Sequence, residues 1–319
     1  MLTSTAKTKS KHVFPARIVG TALSFIHRNT LYIMAVSCLI FVLLFAYFPL
    51  LGWIIAFINY QPGLKLSQCD FVGLRYFILA VKQPDLLPVL WNTIVMSMLG
   101  LLCSPIPAFF AISLSEIRFN KFSRFVQTMT TFPNFISWVL VFSVFYAMFS
   151  PNDGVLNKVL LSLHLVDQPV NPIGNPDIVY FFQTGIGLWK SMGFSAIIYL
   201  ASLAGIDPGL YDAASIDGAG RFRKILHVKI PGLYPTYFVL LLLAIGQLLN
   251  NGFEQYYFFY NGLVGDKIEV LDYYVYRLGV LGNGYSLATA IGITKTAISI
   301  LLLVGANGLS KRVRGVSIL

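Results

Sequence analysis

The sequence predicts an all-α membrane protein with six transmembrane helices, and three observations lead to that fold class. Of the 319 residues, 56% are hydrophobic and only 11% are charged, which is about half the charged share of a soluble domain. Apolar runs of the roughly 20 residues that a spanning helix needs recur six times. Lysine and arginine also gather in alternate connecting segments. The predicted spans are 31–57, 88–114, 127–149, 182–204, 233–250 and 287–309.

The first predicted span belongs to the protein rather than to a cleaved secretory signal. Basic residues precede it, as they do in a signal peptide: Lys7, Lys9, Lys11, Arg17 and Arg28. The apolar run is nevertheless too long for the roughly 7–15 residues of a signal core, and no small-residue cleavage motif closes it. We therefore expect an N-terminal arm over 1–30, a transmembrane domain over 31–309 and a tail over 310–319.

The distribution of charge predicts the orientation of the chain. Fifteen lysines and arginines fall in the N-terminal arm, the 115–126 and 206–232 loops and the C-terminus, whereas seven, including Lys190, fall in the opposite segments. Because basic loops face the cytoplasm, both termini are predicted to be cytoplasmic. The net charge of +10 is thus mainly a topology signal. No basic patch interleaved with aromatic residues indicates nucleic-acid binding.

Small and special residues predict a short helix and a sharp turn in the loop 206–231. Asp207 followed by Pro208 is typical of a helix start, because the carboxylate caps free amides and the proline has no N–H to lose. Two alanines, Ala213 and Ala214, share a face on which a partner can approach closely. Gly218 permits a turn with positive φ. For the stretch 220–229, an interfacial helix resting on membrane lipid is the alternative interpretation.

This loop resembles the signature of ABC-importer permeases. That signature is Glu-Ala-Ala, three residues, Gly, nine residues and an aliphatic-x-aliphatic-Pro close. Here it is present as Asp212-Ala213-Ala214, Gly218 and Val228-Lys229-Ile230-Pro231, with Asp in place of the usual Glu. Other segments resemble permeases of oligosaccharide and polysaccharide importers, among which alginate-importer permeases are a candidate: 120–128, 132–139, 150–154, 189–194, 251–255, 269–276 and 284–290.

The resemblance implies a type I importer permease in the bacterial cytoplasmic membrane. The chain would pair with a second homologous permease, as a heterodimer, and with two ATP-binding subunits and an extracytoplasmic solute-binding protein. No phosphate-binding Gly-x-x-x-x-Gly-Lys-Ser/Thr motif is present, so we expect neither ATP hydrolysis by this chain nor a bound cofactor. The residues predicted to contact the ATPase are Asp212, Ala213, Ala214, Asp217, Gly218, Ala219 and Phe222.

Polar residues in the predicted spans mark a candidate substrate path, because unpaired polar groups are costly in hydrocarbon. Gln247, Asn250, Asn251 and Glu254 follow the i, i+3, i+4, i+7 spacing of one helical stripe. Lys295, expected to be the only basic residue deep in a span, either pairs with a carboxylate such as Glu254 or attracts an anionic sugar. Trp189 and Tyr199 either line the path or pack in the core.

Two other function classes compete with the importer. An ion-coupled secondary sugar transporter predicts discontinuous helices and an internal repeat, and the sequence displays neither. A membrane-embedded enzyme predicts clustered histidines, cysteines or paired acids. The four histidines are scattered, and two of the three cysteines, Cys38 and Cys103, fall inside spans, so no catalytic or metal-ligand spacing emerges.

Overall fold

A computed structural model describes residues 30–32 and 34–314. The predicted arm 1–30, apart from Thr30, lies outside these residues, as do residues 315–319 of the predicted tail. The chain divides into two units, of which the second begins at Ile55. The first apolar helix, α1 (Thr30–Phe57), has 28 residues, which exceeds the roughly 20 needed to cross a bilayer.

Helices α2 to α15 follow α1 along the chain. Those before residue 170 are α2 (Arg75–Val81), α3 (Leu86–Cys103), α4 (Ile106–Ser115), α5 (Asn120–Thr131), α6 (Trp138–Phe149) and α7 (Val155–Ser162). Those after it are α8 (Val179–Ala204), α9 (Pro208–Ile216), α10 (Arg221–Lys224), α11 (Ile230–Gly246), α12 (Glu254–Phe259), α13 (Gly265–Ile268), α14 (Leu271–Tyr276) and α15 (Tyr285–Arg314).

Five helices of the described chain are long and apolar enough to cross a membrane. Besides α1 they are Leu86–Ser115, Val179–Ala204, Arg221–Gly246 and Tyr285–Arg312. Five of the six predicted spans are thus confirmed as helices of sufficient length.

The fifth span differs from its prediction at both ends, because it begins at Arg221 rather than at 233 and ends at Gly246 rather than at 250. A π-helical turn over Ile225–Lys229 lets the helix run on through Pro231, whose missing N–H would otherwise break the hydrogen-bond ladder. The last part of the predicted loop 206–231 is therefore helical.

The third predicted span, 127–149, is not one straight helix. The segments Asn120–Phe135 and Trp138–Phe149 are bent by 103° relative to each other. The second segment has 12 residues and measures about 18 Å at 1.5 Å per residue, too short to cross a bilayer alone. The 3₁₀ turn Phe132–Phe135, with Pro133 in its first turn, ends the α-helical ladder at the bend.

The two segments pack along α8, from the middle of that helix to its N-terminal end. Near the bend, a Cβ placed on Gly193 of α8 would lie 2.1 Å from the carbonyl oxygen of Thr130, so only glycine permits this approach. At the other end of α6, the rings of Phe149 and Phe182 have centroids 5.9 Å apart. Taken together, the bent pair is long and apolar enough to count as a sixth span by length and composition.

A buried lysine holds the break. The Lys190 ammonium donates to the carbonyl oxygens of Pro133 (3.1 Å) and Asn134 (3.0 Å) and to that of Ile136, and lies 5.3 Å from the centroid of the Trp138 ring. Lys190 was predicted to lie in an extracytoplasmic segment, but it is the twelfth residue of α8 and 9% exposed. Lys295 is therefore not the only basic residue deep in a span. The lysine satisfies carbonyls that the broken helix leaves free.

Three apolar clusters pack the second unit. One joins α4, α8 and α11 around Ala196 and Leu203. A second joins α6, α8 and α12 to α14 around Phe259 and Ile186. The third joins α2, α3, α14 and α15 around Tyr274. Helix α8 contributes to two of the three clusters. Its side chains therefore also border the space between these two clusters.

Candidate functional site

The loop between α8 and α11 forms the predicted helix and turn. Asp207 caps α9, since its carboxylate accepts a hydrogen bond of 2.9 Å from the Gly209 amide. The helix ends at Ile216, and Gly218 follows with φ +73°. This left-handed conformation costs little for glycine and about 1–2 kcal/mol for other residues. The prediction of a capped helix followed by a glycine turn is confirmed.

The predicted ATPase-contacting residues lie together on this loop. Asp212, Ala213, Asp217 and Gly218 are exposed, whereas Ala214 and Ala219 are half-buried. Phe222, in α10, is 71% exposed, and Ile216, which the sequence did not single out, is 86% exposed. Exposed apolar side chains beside small residues suit a partner with an apolar cleft.

A cluster of charges joins this loop to the end of α4. The carboxylate of Glu116 accepts hydrogen bonds from Arg221 Nε and Lys229 Nζ, and Lys229 also donates to Ser115 Oγ at 2.9 Å. Burial raises the pKa of Glu116, but the hydrogen bonds and charges of Lys229 and Arg221 outweigh it, so that the pKa lies below its ordinary value. The cluster therefore carries a charged carboxylate at neutral pH.

A cavity of about 480 Å³ lies between α3, α4, α8, α11 and α12 and reaches Trp138 of α6. Its apolar wall includes Met96, Pro107 and Leu240. The polar lining residues are Ser104, Gln183, Thr184, Ser191, Ser195, Tyr199, Tyr237, Gln255 and Tyr256. No charged side chain of the described residues lines it. An apolar wall with a few hydroxyl and amide groups is typical of a site for an uncharged polar ligand.

The two aromatic residues predicted for the substrate path lie in different places. Tyr199 is 3% exposed and lines the cavity. Trp189 is half-exposed on the other face of α8, where its ring meets Phe145 edge-on at 5.7 Å. It lines a shallower pocket with Phe181 and Phe182.

The polar stripe predicted over Gln247–Glu254 does not exist as one helical face. Helix α11 ends at Gly246, and Glu254 opens a separate helix, α12. Asn250 Nδ2 donates to Gln247 Oε1 at 2.7 Å, and both residues are exposed. Asn251 instead reaches α3, where it accepts from Ser97 Oγ at 3.1 Å and donates to the Thr93 carbonyl at 3.3 Å. None of these residues lines the cavity of about 480 Å³.

Lys295 pairs with a carboxylate, and the partner is Asp272 of α14 rather than Glu254. The second oxygen of Asp272 accepts from the Gly252 amide at 3.1 Å. The side chains of Lys295 and Asp272 are 12% and 19% exposed. The pair thus ties α15 to α14 and to the irregular segment after α11.

Two glutamines that line the cavity, Gln183 and Gln255, were not among the residues predicted for the substrate path. Gln255 Nε2 donates to the carbonyl oxygen and to Oε1 of Gln183, both at 2.9 Å, and the two side chains are 8% and 1% exposed. Gln183 stands in the apolar run 182–204, where a lone amide is itself a signal. Gln255 follows Glu254 directly and is not part of the predicted stripe.

Comparison with known proteins gives one family. A family model described as "Binding-protein-dependent transport system inner membrane component" matches residues 100–315. Protein LplB of Bacillus subtilis is 36% identical over 88% of this chain and 88% of its own length. The polygalacturonan/rhamnogalacturonan transport system permease YteP, also of Bacillus subtilis, is 36% identical over 91% of this chain and 90% of its own.

A solved structure has the same fold. It is a chain of a bacterial alginate ABC transporter in complex with an alginate pentasaccharide-bound periplasmic protein. The superposition has a TM-score of 0.81 at 31% identity and covers 92% of this chain and 99% of the other.

Proposed function

The chain belongs to the family of binding-protein-dependent transport system inner membrane components, and we propose that it is a permease subunit of an ATP-driven importer of oligosaccharides or polysaccharides. The resemblance predicted from the loop at Asp212–Pro231 is confirmed by this match. Members of the family are transport permeases rather than enzymes. The saccharide class rests on relatives that are 36% and 31% identical to this chain.

The observation that carries the proposal is the exposed helix α9 with its glycine turn. The apolar side chains of Ile216, at the end of α9, and Phe222, in α10, are exposed, and the turn at Gly218 between them has a backbone conformation that other residues resist. A separate ATP-binding subunit that bound this exposed surface would move α9. The bonds from Arg221 and Lys229 to Glu116 would pass that movement to α4, and the helix Arg221–Gly246 would carry it into the bundle.

The partners follow from the same arrangement. A solute-binding protein works with this family, and we propose in addition a second, different permease and two ATP-binding subunits. This chain itself would bind no ATP. The loop 206–231 and both termini would face the cytoplasm, as the distribution of lysine and arginine indicates.

For the substrate path we propose the cavity that Tyr199 lines. It is large enough for a sugar ring or two, and its hydroxyl and amide groups match the hydroxyls of a saccharide. Burial raises the pKa of Tyr256 in its wall to about 12, so this phenol stays neutral at physiological pH. Gln247, Asn250, Glu254 and Trp189, outside this cavity, would contribute only where a second permease completes the path.

Uptake by the reconstituted complex tests the proposal. Proteoliposomes would contain this chain with its genomic partner permease and ATPase, and would receive a radiolabelled oligogalacturonate or arabino-oligosaccharide with the cognate solute-binding protein. The proposal predicts uptake that needs both ATP and the binding protein and that survives ionophores.

An ion-coupled secondary transporter is the alternative outcome of the same experiment. The broken span at Phe132–Phe135 and the buried Lys190 are features that such transporters also have. Uptake driven by an ion gradient, without ATP, would support this alternative and contradict the importer.

A further inference from the structure

Two glutamines in the cavity form an amide pair with unused hydrogen-bonding capacity. Gln255 Nε2 donates to Gln183, with a distance of 2.9 Å to the backbone carbonyl oxygen and of 2.9 Å to Oε1. Gln183 Nε2 is buried and has no hydrogen-bond partner among the described residues. Gln255 Oε1 likewise accepts no hydrogen bond from any described residue. The pair thus offers one donor group, the Gln183 amide nitrogen with its two N–H bonds, and one acceptor, Gln255 Oε1.

Burying an amide donor without a partner is costly, and native proteins seldom do so. If the pair served only to join α12 to α8, an apolar residue at 183 would do this without leaving a donor unpaired. Both residues instead line the cavity, beside Thr184 and Ser191. The unused donor therefore indicates a ligand group that completes the pair.

A glycine leaves free space in the cavity wall beside the two glutamines. Gly187, one turn after Gln183 on α8, also lines the cavity. A Cβ at Gly187 would stand 3.6 Å from Gln255 Oε1, so a larger side chain there would fill the space next to the amide. Trp138 also lines the cavity and supplies an indole, a large aromatic surface against which a sugar ring can pack.

We propose that Gln183 and Gln255 together bind a hydroxyl group of the translocated saccharide and act as specificity-determining residues; this rests on the proposed import function. A hydroxyl accepts a hydrogen bond from Gln183 Nε2 and donates one to Gln255 Oε1. A carboxylate only accepts and would meet the Gln255 oxygen with repulsion. Charged groups of an acidic saccharide would therefore lie elsewhere in the path.

The variant Gln183→Met tests this role, because methionine keeps the size of the side chain and removes the free donor. It also removes Gln183 Oε1, but Gln255 Nε2 keeps its hydrogen bond to the backbone carbonyl of residue 183. Uptake would be measured in proteoliposomes of the full complex at saturating binding protein, with a neutral arabino-oligosaccharide as the probe. We expect uptake per ATP hydrolysed to fall roughly tenfold, without a matching loss in melting temperature. Gln127→Leu, a glutamine of α5 that does not line the cavity, is the matched control and should transport as the wild type does.

A structure of the wild-type complex trapped with the oligosaccharide decides the question even if the variant does not fold. A saccharide oxygen within hydrogen-bond distance of Gln183 Nε2 supports the proposal. The proposal is overturned if Gln183→Met takes up as much saccharide per ATP as the wild type does. It is also overturned if the saccharide contacts only other walls of the cavity. Failure of the proposed function is recognised separately, because the wild-type complex would then show no ATP-driven uptake.

Discussion

Glu116, the residue after α4, accepts a hydrogen bond from Lys229, which precedes α11 by one residue. The two residues are 113 positions apart in the chain, and Arg221 completes the cluster from the start of α10. The side chains of Glu116 and Lys229 are 17% and 12% exposed, so solvent screens their attraction only in part. The cluster links the loop that carries α9 to the end of α4.

Glu116→Gln should therefore weaken coupling more than assembly. The amide keeps an acceptor for Lys229 but loses the charge that holds both cations. We expect saccharide uptake per ATP to fall several-fold while the complex still assembles. Asp167→Asn, which changes an exposed carboxylate between α7 and α8 without an ion-pair partner among the described residues, controls for the loss of charge alone. Equal coupling in Glu116→Gln and the wild type would contradict a mechanical role for the cluster.

The pH dependence of the same cluster has a definite sign. The pKa of Glu116 is lowered in the folded protein, so its contribution to stability is present above its ordinary pKa of about 4.5 and is lost as the pH falls through the lowered value. The difference in melting temperature between wild type and Glu116→Gln should be the same at about pH 6 and about pH 8 and should shrink below about pH 4.5. A difference that shrinks between pH 8 and 6 would contradict the ion pairs.

Lys190→Met should destabilise the break between α5 and α6. The change removes the donor to the carbonyls of Pro133, Asn134 and Ile136, and buried acceptors left unpaired cost about 1–3 kcal/mol each. We expect a clear fall in the melting temperature of the detergent-solubilised protein. Lys82→Met, at an exposed lysine after α2, should leave it unchanged. Equal melting temperatures for all three proteins would mean that Lys190 does not hold the break.

The pair between Asp272 and Lys295 predicts a non-additive double variant. Asp272→Asn or Lys295→Met alone leaves a charge in a largely buried site, which costs about 3–5 kcal/mol. The double variant leaves no charge and should recover much of that loss. Measurement of folded yield and melting temperature for the four proteins gives the coupling energy. Additive effects would contradict a direct pair and would return Lys295 to the candidates for sugar binding.

Gly218→Val should uncouple ATP hydrolysis from uptake without preventing insertion. No atom lies within 4 Å of a Cβ at either Gly218 or Gly220, but only Gly218 has positive φ. Valine at 218 therefore forces the turn into another shape, whereas Gly220→Val is a matched change without that strain. Reduced uptake per ATP in the first variant alone is the expected result. Similar transport by both variants would mean that the turn geometry is unimportant.

Local patterns allowed α9 and its turn to be predicted, because the cap at Asp207 and the glycine at 218 act on neighbouring backbone. The bend at Phe132–Phe135 was not predictable in this way, since hydropathy is similar for a straight and a broken span. The place of Lys190 depends on carbonyls more than fifty residues away. Several carboxylates were possible partners for Lys295, and only the packing of α14 against α15 selects Asp272. The cavity glutamines come from α8 and α12, which sequence spacing does not bring together.

We infer that helix α9 transmits force from a separate ATPase, and disulfide cross-linking from Ala213→Cys is the sharpest test of this inference. The assembled importer would be oxidised with a cysteine introduced into the ATPase surface cleft that faces this chain. We expect a cross-linked pair of this chain and the ATPase, with transport blocked until the disulfide is reduced. A complex that transports with ATP while Ala213→Cys never cross-links to the ATPase would contradict it.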